Sequence, residues 1–229
     1  MRLLAIPDLH GKTVWQQVAP AAYDKIIFLG DYVDDHGDHS DEEIFNNLLR
    51  ILAFRQAHPE KVVLLLGNHD VHYLHYPHYR ASRFRESMRE RLQGLFTRHR
   101  AVFQVAYAAG NYLFTHAGVS ATWWEWMQEK AFALRLSADL PLPERLNALM
   151  DSIDRRYLYG AGFARQGPYP CGGVVWADFS ETCDDPLPGY HQVVGHSPQP
   201  HLRRFGDDRT SITYTDVLRE RVEFWEGEV

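Results

Sequence analysis

Cysteine is nearly missing from this chain. Cys171 and Cys183 are the only two among 229 residues, too few for a disulfide scaffold, and a reduced, cytoplasmic protein is the expectation. No apolar run approaches the roughly 20 residues that span a bilayer. The opening Met-Arg-Leu-Leu-Ala-Ile reaches Asp8 too soon for a secretory leader. Basic charge is also short: 24 Lys and Arg stand against 30 Asp and Glu, and the net charge of −6 argues against a nucleic-acid partner. Repeats, low-complexity stretches and clear linkers are lacking too. A single domain over 1–229 is therefore expected, with a helical cap around 120–157.

Histidine, by contrast, is plentiful, at 13 residues. Several follow short apolar runs that read as buried strands: Leu3–Ile6, Lys25–Leu29, Val62–Leu66, Val102–Ala108, Asn111–Thr115, Val174–Ala177 and Gln192–Val194. A terminal pair follows at Ser211–Thr215 and Arg221–Trp225. Between these lie helical patterns. Ser40-Asp41-Glu42-Glu43 is a capping box leading into Ile44, Leu48 and Leu52. Further helices are marked by Phe84 to Phe96, Trp123 to Leu134, and Leu146 to Tyr157, and Leu140-Pro141-Leu142-Pro143 reads as a helix start. Strand–helix alternation followed by hairpins indicates an α/β or α+β layered fold.

The strands end in polar clusters. Gly67-Asn68-His69-Asp70 is the most specific; by composition such a string arises by chance roughly once in several hundred chains of this kind. Asp8-Leu9-His10, Gly30-Asp31-Tyr32-Val33-Asp34, Thr115-His116-Ala117-Gly118 and Gly195-His196-Ser197-Pro198 complete the set. A lone Asp after a strand is usually a turn residue or cap, and a lone His near an apolar run is usually a satisfied core residue. Five strand ends offering ligands together, with no competing Ser or Cys nucleophile motif, turn the balance toward metal. Mixed Asp, Asn and His ligation suits Mn, with Fe or Zn as alternatives, better than the all-oxygen shells of Ca or Mg.

This order and spacing resembles the calcineurin-like metallophosphoesterase superfamily over nearly the whole chain. The motifs are closest to its phosphoprotein phosphatase and symmetrical diadenosine tetraphosphate hydrolase branches. The resemblance implies a four-layer α/β/β/α sandwich with its site at the C-terminal edges of the strands. It implies two divalent ions: Asp8, His10 and Asp31 hold the first, and Asp31 bridges to a second held also by Asn68, His116 and His196. His69, oriented by Asp34, stays off the metals and donates a proton to the leaving group, while a hydroxide activated by the two metals attacks phosphorus.

The substrate is open at this level. Val174-Val175-Trp176-Ala177-Asp178 and the second cluster look like serine/threonine protein phosphatases. Yet Asp35-His36 stands where those enzymes carry Arg-Gly, and an Asp cannot grip phosphate as an Arg fork does. Leu66 to Leu74 looks more like the diadenosine tetraphosphate hydrolases. The expected activity is phosphomonoester hydrolysis, with a nucleotide phosphohydrolase as the alternative. Arg83 and Arg85 are candidates to replace the missing phosphate grip. The run from His72 to Tyr79 repeats a His-Tyr pair three times, and its rings, Tyr73 among them, either line the entrance and stack on a base or pack as a loop.

Overall fold

The computed structural model describes residues 1–35, 37–131 and 139–229. In it the continuous apolar runs of the N-terminal half become parallel strands: β1 (Arg2–Ile6), β2 (Lys25–Phe28) and β3 (Val62–Leu65). Such runs form where both faces of a sheet are covered. β4 (Phe103–Gln104) extends that sheet, and the chain then crosses at Val105 into a second one. The second sheet comprises β5 (Ala106–Ala109), β6 (Tyr112–Thr115), β7 (His191–Val194), β8 (Arg203–Gly206) and β9 (Ser211–Tyr214), in the order β5-β6-β7-β9-β8. Finally β10 (Trp225–Glu228) returns to pair antiparallel with β1, giving β10-β1-β2-β3-β4.

The strand alternation decides what packs where. Leu3, Ala5, Ile27, Val63 and Leu65 face Phe114 and Val193, forming the seam between the sheets. Leu4, Ile6, Ile26, Phe28, Val62 and Leu64 point outward, toward Ile44, Leu48, Ile51 and Leu52 of α1 (Asp41–Ala57). That helix begins as its capping box requires: Ser40 Oγ accepts from the Glu43 N–H at 3.3 Å and Glu43 Oε2 accepts from the Ser40 N–H at 2.8 Å. α2 (Asn68–Leu74) and α3 (Arg89–Arg98) follow. α4 (Ala121–Lys130), α5 (Leu142–Leu149), α6 (Arg155–Leu158) and α7 (Phe179–Thr182) complete the helices named here. The architecture is the expected α/β/β/α sandwich. Among the described residues no helix is long and apolar enough to cross a membrane.

Several elements differ from the sequence expectation. The run Val102–Ala108 is two strands in two sheets, held at the crossing by Asn147, whose Oδ1 accepts from the N–H groups of Val105 and Ala106. Val174–Ala177 is a buried turn, not a strand; its Val174 carbonyl accepts from the Ala117 N–H. The last strand lies at Trp225–Glu228, and Phe84 lies outside α3. In the region expected to form a cap, Trp123, Met127, Leu146, Leu149 and Leu158 share a core cluster with Leu113 and Val119, while residues 132–138 lie outside the described residues.

Candidate metal centre

The polar clusters converge at one end of both sheets. Asp8 and His10 follow β1, Asp31 and Asp34 follow β2, and Asn68 and His69 open α2 after β3. His116 follows β6 and His196 follows β7. Ligand sites in layered α/β folds form outside the carboxyl ends of strands for this reason. Asp8, His10, Asp31, Asn68, His69 and His196 line one cleft of about 140 Å³. His116, fully buried, joins it from below through Asp31 and Asn68.

The backbone is bent to deliver these side chains. His10 (φ 46°), Asp31 (φ 52°), Asp34 (φ 58°) and His196 (φ 62°) all adopt the left-handed conformation that L-residues avoid, and such outliers cluster at functional sites. Glycines make the crowding feasible. A Cβ on Gly67 would sit 2.1 Å from Asp31 Oδ1, and one on Gly195 would sit 2.0 Å from Asp8 Oδ1. Asp70 braces the whole turn: its buried carboxylate accepts from the N–H groups of Asp31 (2.7 Å), Tyr32 (3.1 Å) and Gly67 (2.9 Å). Asp70→Ala would strand three buried donors, at about 1–3 kcal/mol each. The expected result is a fall in melting temperature of at least about 6 °C, at 2–4 °C per kcal/mol for a chain of this size. A calorimetric change below 2 °C would remove Asp70 from this role.

The imidazoles are prepared as neutral ligands. His10 Nδ1 donates to the Val33 carbonyl and His116 Nδ1 to the Leu29 carbonyl, both at 2.9 Å. A carbonyl only accepts, so each ring carries its proton on Nδ1 and presents the Nε2 lone pair, the usual support for a metal-ligating histidine. His196 instead turns Nδ1 to within 3.0 Å of Asn68 Oδ1, which also lies 3.1 Å from His116 Nε2. Asp31 Oδ2 stands 3.7 Å from His10 Nε2 and 3.5 Å from His116 Nε2. The donor atoms of His10, Asp31 and His69 lie within 4.8 Å of one another, as do those of Asp31, His116 and His196. Asp31 belongs to both groups.

Electrostatics agree with that donor chemistry. Burial pushes His116 down to about 3 and holds His10 and His196 well below the ordinary imidazole value, so all three offer lone pairs at neutral pH. Burial pushes Asp8 up to about 7, while burial and then the charges of Asp8 and Asp70 raise Asp31. Crowded carboxylates facing neutral imidazoles are what a divalent cation would relieve. The residues fit a metal.

His69 lies among these donors but differs from them in what stands behind its ring. Its Nδ1 lies 3.0 Å from Asp34 Oδ2, and Asp34 Oδ1 accepts from the Tyr73 hydroxyl at 2.5 Å. Burial raises Asp34 to about 7, with the Tyr73 hydroxyl pulling against it.

Two expected substrate contacts are elsewhere. Tyr73 is fully buried, its hydroxyl taken by Asp34 and by the Arg85 N–H, so it braces the site from behind and does not face the entrance. Arg85 is committed to Asp35, to Asp41 Oδ1 at 2.7 Å and to the His39 carbonyl. Asp35, the residue that stands where phosphatases carry Arg, thus anchors a loop through Arg85, while His36 lies outside the described residues. Arg83, at φ 58°, does line the cleft. Of the His-Tyr run, His72 packs on Phe84 at 4.4 Å, whereas His78 and Tyr79 line a neighbouring cavity.

Three charged cleft residues went unread in the sequence: Asp216, Arg165 and Arg219. Asp216 follows β9 as the other candidate residues follow their strands, so the same rule could have found it. Arg165 ends a short 3-10 helix and Arg219 sits in a turn, and neither carries such a signal.

A model of the calcineurin-like phosphoesterase family matches residues 1–220. Among solved structures, a cold-active protein-tyrosine phosphatase of a psychrophilic Shewanella species superposes with a TM-score of 0.56 at 16% identity, covering 94% of this chain and 71% of that one. A metallophosphoesterase from Sphaerobacter thermophilus gives 0.40 at 19% identity, covering 93% and 75%. A Saccharomyces cerevisiae protein serine/threonine phosphatase gives 0.41 at 14% identity, covering 96% and 56%. The first of these likenesses speaks for the fold alone, and the other two carry no weight. Comparison with curated proteins yields no match.

Proposed function

The chain belongs to the calcineurin-like phosphoesterase family and is therefore a metal-dependent phosphoester hydrolase, and we propose that it cleaves phosphate monoesters at a two-cation centre. Asp8, His10 and Asp31 would hold one cation; Asp31, Asn68, His116 and His196 would hold the other, with Mn the first candidate and Fe or Zn the alternatives. The observation that carries this reading is Asp31, whose Oδ2 stands 3.7 Å from His10 Nε2 and 3.5 Å from His116 Nε2, so that one carboxylate adjoins two separate groups of donors. When bound, such a pair supplies Lewis-acid stabilisation of phosphoryl oxygens and makes water a stronger nucleophile near neutral pH.

The remaining work falls to the chain's own side chains. The ester P–O bond breaks as the oxygen of water joins phosphorus; the departing oxygen takes a proton from His69 Nε2, one proton of the water stays on the released phosphate and the other restores His69. A carbonyl behind an imidazole fixes one neutral tautomer, as at His10 and His116. A carboxylate behind one, as Asp34 stands behind His69 at 3.0 Å, also accommodates the doubly protonated ring. That difference divides ligands from acid.

Arg83 grips the substrate phosphate from the rim. A charge-assisted hydrogen bond of about 1.5–3 kcal/mol predicts that Arg83→Ala raises KM roughly tenfold or more. An unchanged KM would remove Arg83 from this role. A panel of phosphopeptides, nucleotides, diadenosine tetraphosphate and para-nitrophenyl phosphate, assayed with Mn, tests the whole reading. Monoesters should turn over fastest. Preferential cleavage of diadenosine tetraphosphate would move the chain to the nucleotide branch, and inactivity on every substrate would end the hydrolase reading. A single domain acting in the cytoplasm remains part of this proposal.

A further inference from the structure

Beside the metal cleft lies a larger cavity of about 510 Å³, within the size range of small-molecule pockets. Arg165 and Trp176 line both, so the two spaces share a wall. Trp176 also meets the His196 ring edge to face at 5.6 Å, which brings this wall against a candidate ligand. The cavity's composition is opposite in sign to the molecule. In a chain of net charge −6, its walls carry Arg80, Arg156 and Arg165 together with the rings of Tyr79, Tyr169 and Trp176, and no Asp or Glu.

Its backbone is as unusual as that of the metal cleft. Among the described residues seven non-glycine positions have φ in the left-handed region. Five of them, His10, Asp31, Asp34, Arg83 and His196, belong to the metal site, and the other two, Tyr79 and Gln166, line this cavity. Gly160 leaves room for the aromatic wall, because a Cβ there would sit 2.3 Å from the Tyr169 ring. Strained positions confined to two adjoining spaces mark them as parts of one site.

We propose that this cavity receives the leaving group of the substrate, and that the substrate is a nucleotide carrying a second phosphoryl group besides the one removed. The proposal rests on the phosphomonoesterase reading above. Arg80 and Arg156, with no wall carboxylate beside them, recognise the remaining phosphate. The tyrosines and Trp176 offer faces for a base, as aromatic side chains do for nucleobases. Arg165 is already oriented, with Nε 2.6 Å from Asp178 Oδ2 and Nη2 3.3 Å from Ser197 Oγ, and so stands fixed between the two compartments.

Four monoesters separate the contributions of ring and charge. They are adenosine 3′,5′-bisphosphate, adenosine 5′-monophosphate, fructose 1,6-bisphosphate and glycerol 2-phosphate. With Mn-loaded protein, adenosine 3′,5′-bisphosphate should exceed each of the others at least tenfold in kcat/KM. Arg156→Gln should cut its advantage over the monophosphate about tenfold, mainly through KM, while Arg209→Gln, in the exposed turn after β8, should leave the ratio intact. Calorimetry on chelator-treated protein gives a readout free of catalysis: the Kd for adenosine 3′,5′-bisphosphate should rise at least fivefold in Arg156→Gln. Equal kcat/KM for mono- and bisphosphate nucleotides, equal kcat/KM for the sugar bisphosphate, or a stronger preference for an acidic phosphopeptide would each overturn the proposal. If no ester is hydrolysed, the hydrolase reading fails while the calorimetric arm still decides the cavity.

Discussion

His69→Asn lowers kcat on alkyl phosphates roughly 10²–10⁴-fold, the usual worth of a positioned general acid, and leaves the metal content unchanged. The loss on para-nitrophenyl phosphate is much smaller, because its leaving group departs without a proton. The asymmetry between the two substrates is the diagnostic part. Were His69 a ligand, both rates would fall together and the bound metal with them. Plasma mass spectrometry alongside the two assays distinguishes these outcomes. Asp34→Asn should reproduce the pattern in weaker form, since the ring keeps a partner at Nδ1 but loses the carboxylate that suits its protonated state.

Asp31→Asn has the second large effect, and it acts in opposite directions on two forms of the protein. Asp31 is shared by both imidazole groups, so removing its charge should deplete both cations and cost roughly 10³-fold or more in activity, the scale of several kcal/mol of Lewis-acid stabilisation. In the chelated protein the same substitution should raise the melting temperature, because it removes one of several acids that burial and mutual repulsion drive toward protonation.

The pH dependence of the chelated protein follows with a definite sign. Asp8 and Asp34 are raised to about 7 and Asp70 to about 8, above their unfolded values near 4. The folded state then holds protons that the unfolded chain has released. The contribution of these carboxyls is full below about pH 4 and is lost as pH climbs through 7–8, while the buried neutral His10, His116 and His196 pull the other way below about pH 6.5, where the unfolded imidazoles take up protons. Mn at 100 times its Kd restores about 2.7 kcal/mol, so the loaded protein should show a flatter profile. Melting curves at pH 5 and 8, with and without chelator, test this. A chelated protein equally stable at both values would contradict it.

Much of this architecture was legible in the residues themselves. Val62–Leu66 reads as a strand because continuous apolar residues suit a sheet covered on both faces, and Ser40 with Glu43 announces α1 through its cap. The convergence of the candidate donors was legible because each follows such a strand. The crossing at Val105 was not, since an apolar run says nothing about which sheet its second half joins. Val174–Ala177 misled for a related reason: burial in a turn selects the same residues as burial in a strand. Tyr73 and Arg85 are of types that often meet substrate, but their partners, Asp34 and the Asp35–Asp41 pair, come from distant parts of the chain and are visible only in three dimensions. Asp216 obeyed the strand-end rule and was passed over because no familiar string surrounds it.

The proposed ligand set straddles the seam of the sandwich. Asp8, Asp31 and Asn68 hang from strands of one sheet, and His116 and His196 from strands of the other. An ion held by this set would act as a rivet through the two halves, and its departure would free them to breathe apart. Amide deuteration along β6 and β7 should then proceed faster once the rivet is withdrawn, with the outermost residues of α1 unaffected.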